Sequence, residues 1–235
     1  MTAISRPLKP KPDRPVEPIA LLVIQEIQKA SKALGLPVFL VGAMARVILL
    51  EHVHGLTAGR ATTDVDFAFA LDNWDQFTAI KASLLANADF EQSKHVAHRL
   101  HFRPEGLEHQ YKVDLIPFGG IETSPNTIAW PPDMAVLMNV AGFGDALAAA
   151  VSVQVSPGIE IAVASLPGIA ILKLFAWADR GQESAAPGRH QRARRIARRR
   201  PALRPATARL AVFRCQPTAT GRAVSCGGRG QDAML

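Results

Sequence analysis

Cysteine is nearly missing from this sequence. Cys215 and Cys226 are the only two in 235 residues, too few for a disulfide framework or, by themselves, a zinc site. Long apolar runs are missing too. The longest charge-free candidate, Ala146 to Ile159, contains Gln154 and Pro157 and falls short of the ~18 apolar residues a membrane span requires. The opening MTAISRPLKPKPDRPVEP has no apolar middle region of the kind a secretory signal needs, so a cytoplasmic protein without a membrane partner is expected. Lysine is absent beyond Ala185, where twelve arginines accompany a single acid, Asp232. Residues 1–184 carry 15 basic and 19 acidic side chains, so the overall charge of +7 describes the tail and not the folded part.

What is present divides into three stretches. Residues 1–16 hold Pro7, Pro10, Pro12 and Pro15 among scattered charges, which reads as a flexible extended arm. Residues 17–184 have a globular texture, and with 48% hydrophobic residues overall the chain can bury a sizeable core. Ile19, Leu22, Val23, Ile27 and Leu34 fall near helical spacing, ended by Gly35 and Pro37. Val38–Val41 is a short apolar strand running into Gly42, and a second helix carries Met44, Val47, Ile48 and Leu50. Strands are expected over Asp64–Leu71, His98–Arg103 and Gln110–Phe118, with a helix capped by Asn73 or Asp72 and running to about Asn87. Val151–Val155 and Glu160–Ala164, parted by Ser-Pro-Gly, form a hairpin pattern, and Ser165 caps a last helix with Pro167 in its first turn. Interleaved helices and strands predict an α/β or α+β domain, a small mixed β-sheet flanked by helices. Residues 185–235, rich in Arg, Ala, Pro and Gly, read either as a disordered basic tail or as the product of a shifted reading frame in a G+C-rich gene.

The chemistry-bearing constellation is Gly42, then Asp64-Val65-Asp66, then Asp114. Residues two apart on a strand share a face, roughly 6–7 Å apart, so Asp64 and Asp66 project together while Val65, Phe67 and Phe69 face the core. Paired carboxylates repel one another unless a cation lies between them, and their hard oxygens suit Mg²⁺. Asp114, in Lys112-Val-Asp-Leu-Ile-Pro117, completes a site for one or two ions if its strand adjoins the first. Gly42-Ala43 turns a strand into a helix, where backbone N–H groups can hold a phosphate.

The order Phe39-Leu-Val-Gly-Ala-Met-Ala-Arg46, Arg60-Ala-Thr-Thr-Asp-Val-Asp-Phe67 and Val113-Asp-Leu115 resembles the DNA polymerase β-type nucleotidyltransferase superfamily, and within it the AbiEii/AbiGii toxin-like branch. The resemblance covers about residues 17–183. It implies Mg²⁺-dependent transfer of a nucleoside monophosphate from an NTP to a hydroxyl of an RNA such as tRNA, a protein or a small molecule. Asp64 and Asp66 would be metal ligands and Asp114 the third carboxylate, commonly the base. Gly42, Ala43 and Thr63 would lie against the nucleotide, Lys173 could reach its triphosphate, and an antitoxin-like partner is implied. The chain departs from the pattern at Ala43, where a glycine or serine is usual, and in lacking a Lys-Asp-x-x-Asp-like continuation after Arg180.

Three competing functions follow: an active nucleotidyltransferase, an inactive truncated domain that binds a nucleotide or a protein, and a nucleic-acid-binding module driven by the arginine tail. His95, His98 and His101 are spaced by three, but the alternation through Phe102 argues for strand and against zinc. Trp74, Trp130 and Trp177 read as packing residues, and Ser165 as a cap.

Overall fold

The computed structural model describes residues 6–59, 62–106 and 110–185. The expectations for the arginine-rich tail, including both cysteines, lie outside the described residues.

Helix α1 (Pro18–Leu34) starts on a proline in its first turn and ends at Gly35, whose φ of 67° supplies the left-handed stop. Its buried residues Ala20, Val23, Ile24, Ile27, Ala30 and Ser31 follow the three-four spacing of one face. Strand β1 (Val38–Val41) leads into α2 (Gly42–Val47), which continues as a π-helical turn over Ile48–Val53. Strand β2 is Asp64–Ala70 and helix α3 is Trp74–Leu85. Asn73 caps α3 by accepting the Gln76 N–H at 3.0 Å, while the Gln76 side chain accepts the Asp72 N–H at 2.8 Å. Strands β3 (Phe90–Gln92), β4 (Arg99–Phe102) and β5 (Tyr111–Phe118) follow. A separate hairpin of β6 (Thr127–Trp130) and β7 (Val136–Asn139) precedes the short helix α4 (Phe143–Ala148). Strands β8 (Val151–Ser156) and β9 (Ile159–Val163) form the expected hairpin, and α5 (Leu166–Ala185) closes the described chain. Ser165 caps α5 as expected, accepting the Gly168 N–H at 3.3 Å.

Seven strands form one mixed sheet in the order β3-β4-β5-β2-β1-β9-β8. β2 runs parallel to β5 and antiparallel to β1, and β4 runs antiparallel to β5. Val65, Phe67 and Phe69 are fully buried, as alternation along β2 requires. Phe39, Leu40, Phe102, Val113 and Leu115 from the neighbouring strands complete that core with Ile24 and Ile27 of α1.

Two expectations change. Residues 8–16 of the proline-rich arm are held against the fold. Leu8 donates to Ser152 and accepts from Gln154, both at 2.8 Å, and Lys11 donates to the His52 carbonyl at 2.7 Å. Val16 is buried. The prolines fix the backbone extended, and an extended backbone beside a sheet edge finds partners there. Trp177 is the second correction. It is 71% exposed on α5, whereas Trp74 and Trp130 pack together with ring centroids 5.1 Å apart.

Candidate active site

The site is built on the two central parallel strands. In-register pairing of β2 with β5 sets Asp66 directly opposite Asp114 and Asp64 opposite Lys112. Because β2 alternates, Asp64 and Asp66 occupy the same face. One strand further, β4 places Arg99 opposite Asp114, and on the other side Val41, the last residue of β1, stands opposite Asp66. Gly42, Asp64, Asp66 and Asp114 therefore come together at one end of the sheet centre, as their sequence pattern suggests.

Gly42 is required there twice over. Its φ is +71°, and a Cβ at this position would lie 1.9 Å from Oδ2 of Asp66. Only a residue without a side chain permits both the left-handed turn and the approach of the carboxylate. The Ala43 backbone N–H then donates to Asp66. In this arrangement the amide expected to face a phosphate is occupied by an acid of the protein.

Each carboxylate has a different electrostatic setting. Arg99 grips Asp114 bidentately, Nε to Oδ1 and Nη2 to Oδ2 both at 2.7 Å, the fork geometry in which such pairs are strongest. Lys112 lies 3.4 Å from Asp64 across the strand pair. Among the described residues Asp66 forms no ion pair, and burial, reinforced by the charges of Asp114 and Asp64 and opposed by Arg99, pushes its carboxyl up to about 6. Three carboxylates thus face two cations among the described residues, and the deficit falls on Asp66. Among the described residues no three acidic, imidazole or thiol side chains are close enough to form a ready metal site; both oxygens of Asp114 accept from Arg99. The donor chemistry nevertheless suits a hard divalent cation: all the oxygens are carboxylate oxygens, and Asp66 pairs with no cation among the described residues.

The remaining candidates sit at or beyond the margin. Thr63 is exposed, and the hydroxyl that organises this corner is that of Thr62, which accepts the Asp64 N–H at 3.1 Å. Lys173 is exposed on α5 and makes no ion pair among the described residues. Within the long interval between Gly42 and Asp64, side-chain bonds tie Ala58 back to α2 and the π-helical turn. Arg46 donates to the Ala58 carbonyl, and the Ala58 N–H donates to Glu51 at 2.9 Å. No motif in the sequence marks Arg99 as a site residue, and the spacing of His98 with His95 and His101 points only to the zinc reading set aside above. Alternation through β4 does place Arg99 and His101 on one face, and pairing of that strand with β5 was the missing information. His98 stacks on Trp130 with ring centroids 5.2 Å apart, and burial lowers its pKa against the opposing pull of Asp114.

A glycine turn ending one strand and acids aligned on its neighbours, in a mixed sheet flanked by helices, define the nucleotidyltransferase class. Residues 31–194, well over half of the chain, match the nucleotidyl transferase AbiEii toxin family of type IV toxin–antitoxin systems, and the chain belongs to that family. None of the curated proteins compared matches it. Among solved structures it is similar to the antibiotic-resistance factor ANT(2″)-Ia, at 17% identity over 76% of this chain and 82% of that one, with a TM-score of 0.40. An antigenic nucleotidyltransferase-like protein from Paracoccidioides brasiliensis shares 17% identity over 78% of this chain and 75% of its own, with a TM-score of 0.46. The Thermotoga maritima CCA-adding enzyme, solved with tRNA, is 16% identical over 43% of this chain and 22% of its own, with a TM-score of 0.28.

Proposed function

We propose that the protein transfers a nucleoside monophosphate from an NTP to an acceptor hydroxyl, using Asp64, Asp66 and Asp114 as its acidic centre. The observation that carries this reading is the in-register pairing of Asp66 with Asp114 beside the Gly42 turn. Asp64 and Asp66 are the residues to hold Mg²⁺, one ion or two, with Asp114 joining them when Arg99 yields an oxygen. A bound divalent cation supplies charge neutralisation for the departing pyrophosphate. The acceptor oxygen bonds to the α-phosphorus as the bond from that phosphorus to the bridging oxygen breaks. Pyrophosphate leaves with the electron pair, and the hydroxyl proton passes to a carboxylate oxygen of Asp114.

Arg99 also has a part in this scheme. While it is bidentate on Asp114 it holds that carboxylate in one orientation, and a planar fork does so more rigidly than a lysine could. The acceptor belongs to an RNA such as tRNA, a protein or a small molecule. The family points to an antitoxin partner, and the site of action is the cytoplasm. No helix among the described residues is long and apolar enough to cross a membrane.

The test is incubation with each of the four α-³²P-labelled NTPs, Mg²⁺, and in turn total RNA, total protein and a small-molecule extract of the cell. Label should move from one NTP into one fraction, and the Asp66→Asn protein should leave all fractions unlabelled. Transfer at an undiminished rate by that variant would overturn the assignment.

A further inference from the structure

Two cations stand among the carboxylates, and they are held differently. Arg99 gives Asp114 two bonds of 2.7 Å, between side chains 29% and 14% exposed. Lys112 approaches Asp64 at 3.4 Å, between side chains 44% and 50% exposed. A bidentate, half-enclosed pair resists exchange. An exposed pair held by one contact contributes little and breaks readily. Lys112 is therefore the cation that can leave.

The strands offer it no second carboxylate close by. Register sets Asp64, Lys112, His101 and Glu91 in a row across β2, β5, β4 and β3. Glu91 is two strands from Lys112, about 10 Å at ordinary strand spacing, with His101 between them. Asp114 lies two residues along β5 on the same face, and both its oxygens accept from Arg99. Among the described residues Asp64 is the one acid with which Lys112 pairs.

Charge on this face decides what a released Lys112 meets. Three carboxylates against two cations, counted among the described residues, leave it short of one positive charge. With a divalent ion on Asp64 and Asp66 the shortage becomes an excess of one, and Lys112 loses the oxygen on which it rests. Hard divalent ions of this kind are bound by one or two carboxylates together with substrate phosphates. The anion that restores the balance thus arrives beside Asp64, within the sweep of the flexible lysine stem.

Resting on the nucleotidyl-transfer reading above, we propose that Lys112 is a polyphosphate-binding residue of the site, kept on Asp64 until a divalent cation displaces it. In the metal-free protein its ammonium supplies part of the charge the ion would bring. Once released, it donates to an oxygen of the nucleotide's polyphosphate chain. Lysine and cation compete for Asp64 in the absence of substrate and cooperate in its presence.

Competition and cooperation give one substitution two opposite effects, both measured on the full chain without turnover. Free Mn²⁺, followed by its electron paramagnetic resonance signal, reports binding of the ion alone. Equilibrium dialysis of ³²P-labelled tripolyphosphate at saturating Mn²⁺ reports binding of the phosphate chain without a base. Lys112→Met should tighten Mn²⁺ binding about threefold, the size of an exposed pair's contribution, and this gain itself shows that the variant is folded. The same variant should bind tripolyphosphate at least about tenfold more weakly, the size of a hydrogen bond from a charged group. Arg103→Met controls for charge alone: its guanidinium lies just past β4 and bonds to Gln110 at 2.9 Å, and its loss should move either affinity by less than about twofold in 0.15 M salt. A parent protein that binds no Mn²⁺, an unchanged Mn²⁺ or tripolyphosphate affinity in Lys112→Met, or equal shifts in Arg103→Met would each overturn the proposal. A protein that shows both shifts but transfers from no NTP refutes the nucleotidyl-transfer reading instead, and leaves a metal-dependent polyphosphate site.

Discussion

Replacing Asp66 by Asn should make the metal-free protein more stable, although it removes a residue at the centre of the site. In the folded chain the carboxyl is held at about 6, against an ordinary value of 3.8. An acid with a raised folded-state pKa destabilises the fold once the unfolded chain has ionised. The penalty is absent below pH 3.8, grows as the pH rises, and is complete above about 6. At 1.36 kcal/mol per pK unit the full penalty is ~3 kcal/mol at pH 7 and about half of that at pH 5. Asparagine keeps the acceptor oxygen for the Ala43 N–H and carries no charge, so it escapes the penalty. Urea denaturation of both proteins in EDTA at pH 5 and pH 7 measures the difference directly. The variant should be the more stable at both, with the gap widening towards pH 7. Adding Mg²⁺ should then raise the stability of the parent protein by ~2.7 kcal/mol at a hundred times its dissociation constant, with a much smaller gain for the variant. Equal stability of the two proteins at pH 7 in EDTA would refute the reasoning.

Arg99→Ala should destabilise the metal-free protein by about 2 kcal/mol, because it leaves Asp114 enclosed without its counter-ion; most of the loss should return on adding Mg²⁺, as urea titration with and without the ion will show. Gly42→Ala should be among the most damaging single-methyl changes in the chain. Its Cβ would collide with Asp66 at 1.9 Å, so circular dichroism melting should reveal a lower midpoint and the transfer assay little activity. Trp177→Ser, by contrast, should alter unfolding free energy by less than about 0.5 kcal/mol, since the indole is 71% exposed; a larger loss in urea titration would mean that the ring is covered in solution.

The elements legible in the sequence are those long enough to display a period or bounded by punctuation. β2 and β5 alternate over seven and eight residues, and α1 is bracketed by Pro18 and Gly35. The carboxylates are legible for the same reason, since a D-x-D spacing on an alternating strand fixes their common face. β3, β6 and β7 are three or four residues long, too short for a period to stand out, and they form because tertiary partners pair with them. The role of Arg99 was hidden by a different cause. A residue's cross-strand neighbour depends on which strands pair and in what register, and nothing local to His98-Arg99-Leu100 names Asp114. The exposure of Trp177 has no local signal, because a large aromatic residue in a helix usually has something to pack against.

The bond between Leu8 and β8 bears on how the chain avoids joining itself to others. β8 is an outer strand of the sheet, and an outer strand offers free N–H and C=O groups to any extended segment that drifts past, which is how domain-swapped dimers and fibrils begin. Leu8 occupies part of that edge, using one residue for two hydrogen bonds. Pro7 and Pro10 bracket it, and neither has an N–H with which to prolong a ladder. The segment therefore acts as a stopper: it shields the central stretch of an open edge and is itself a poor template for the next strand. Tags fused directly before it, or deletions that reach Leu8, would uncover that edge, and self-association of the shortened protein would follow from the backbone alone.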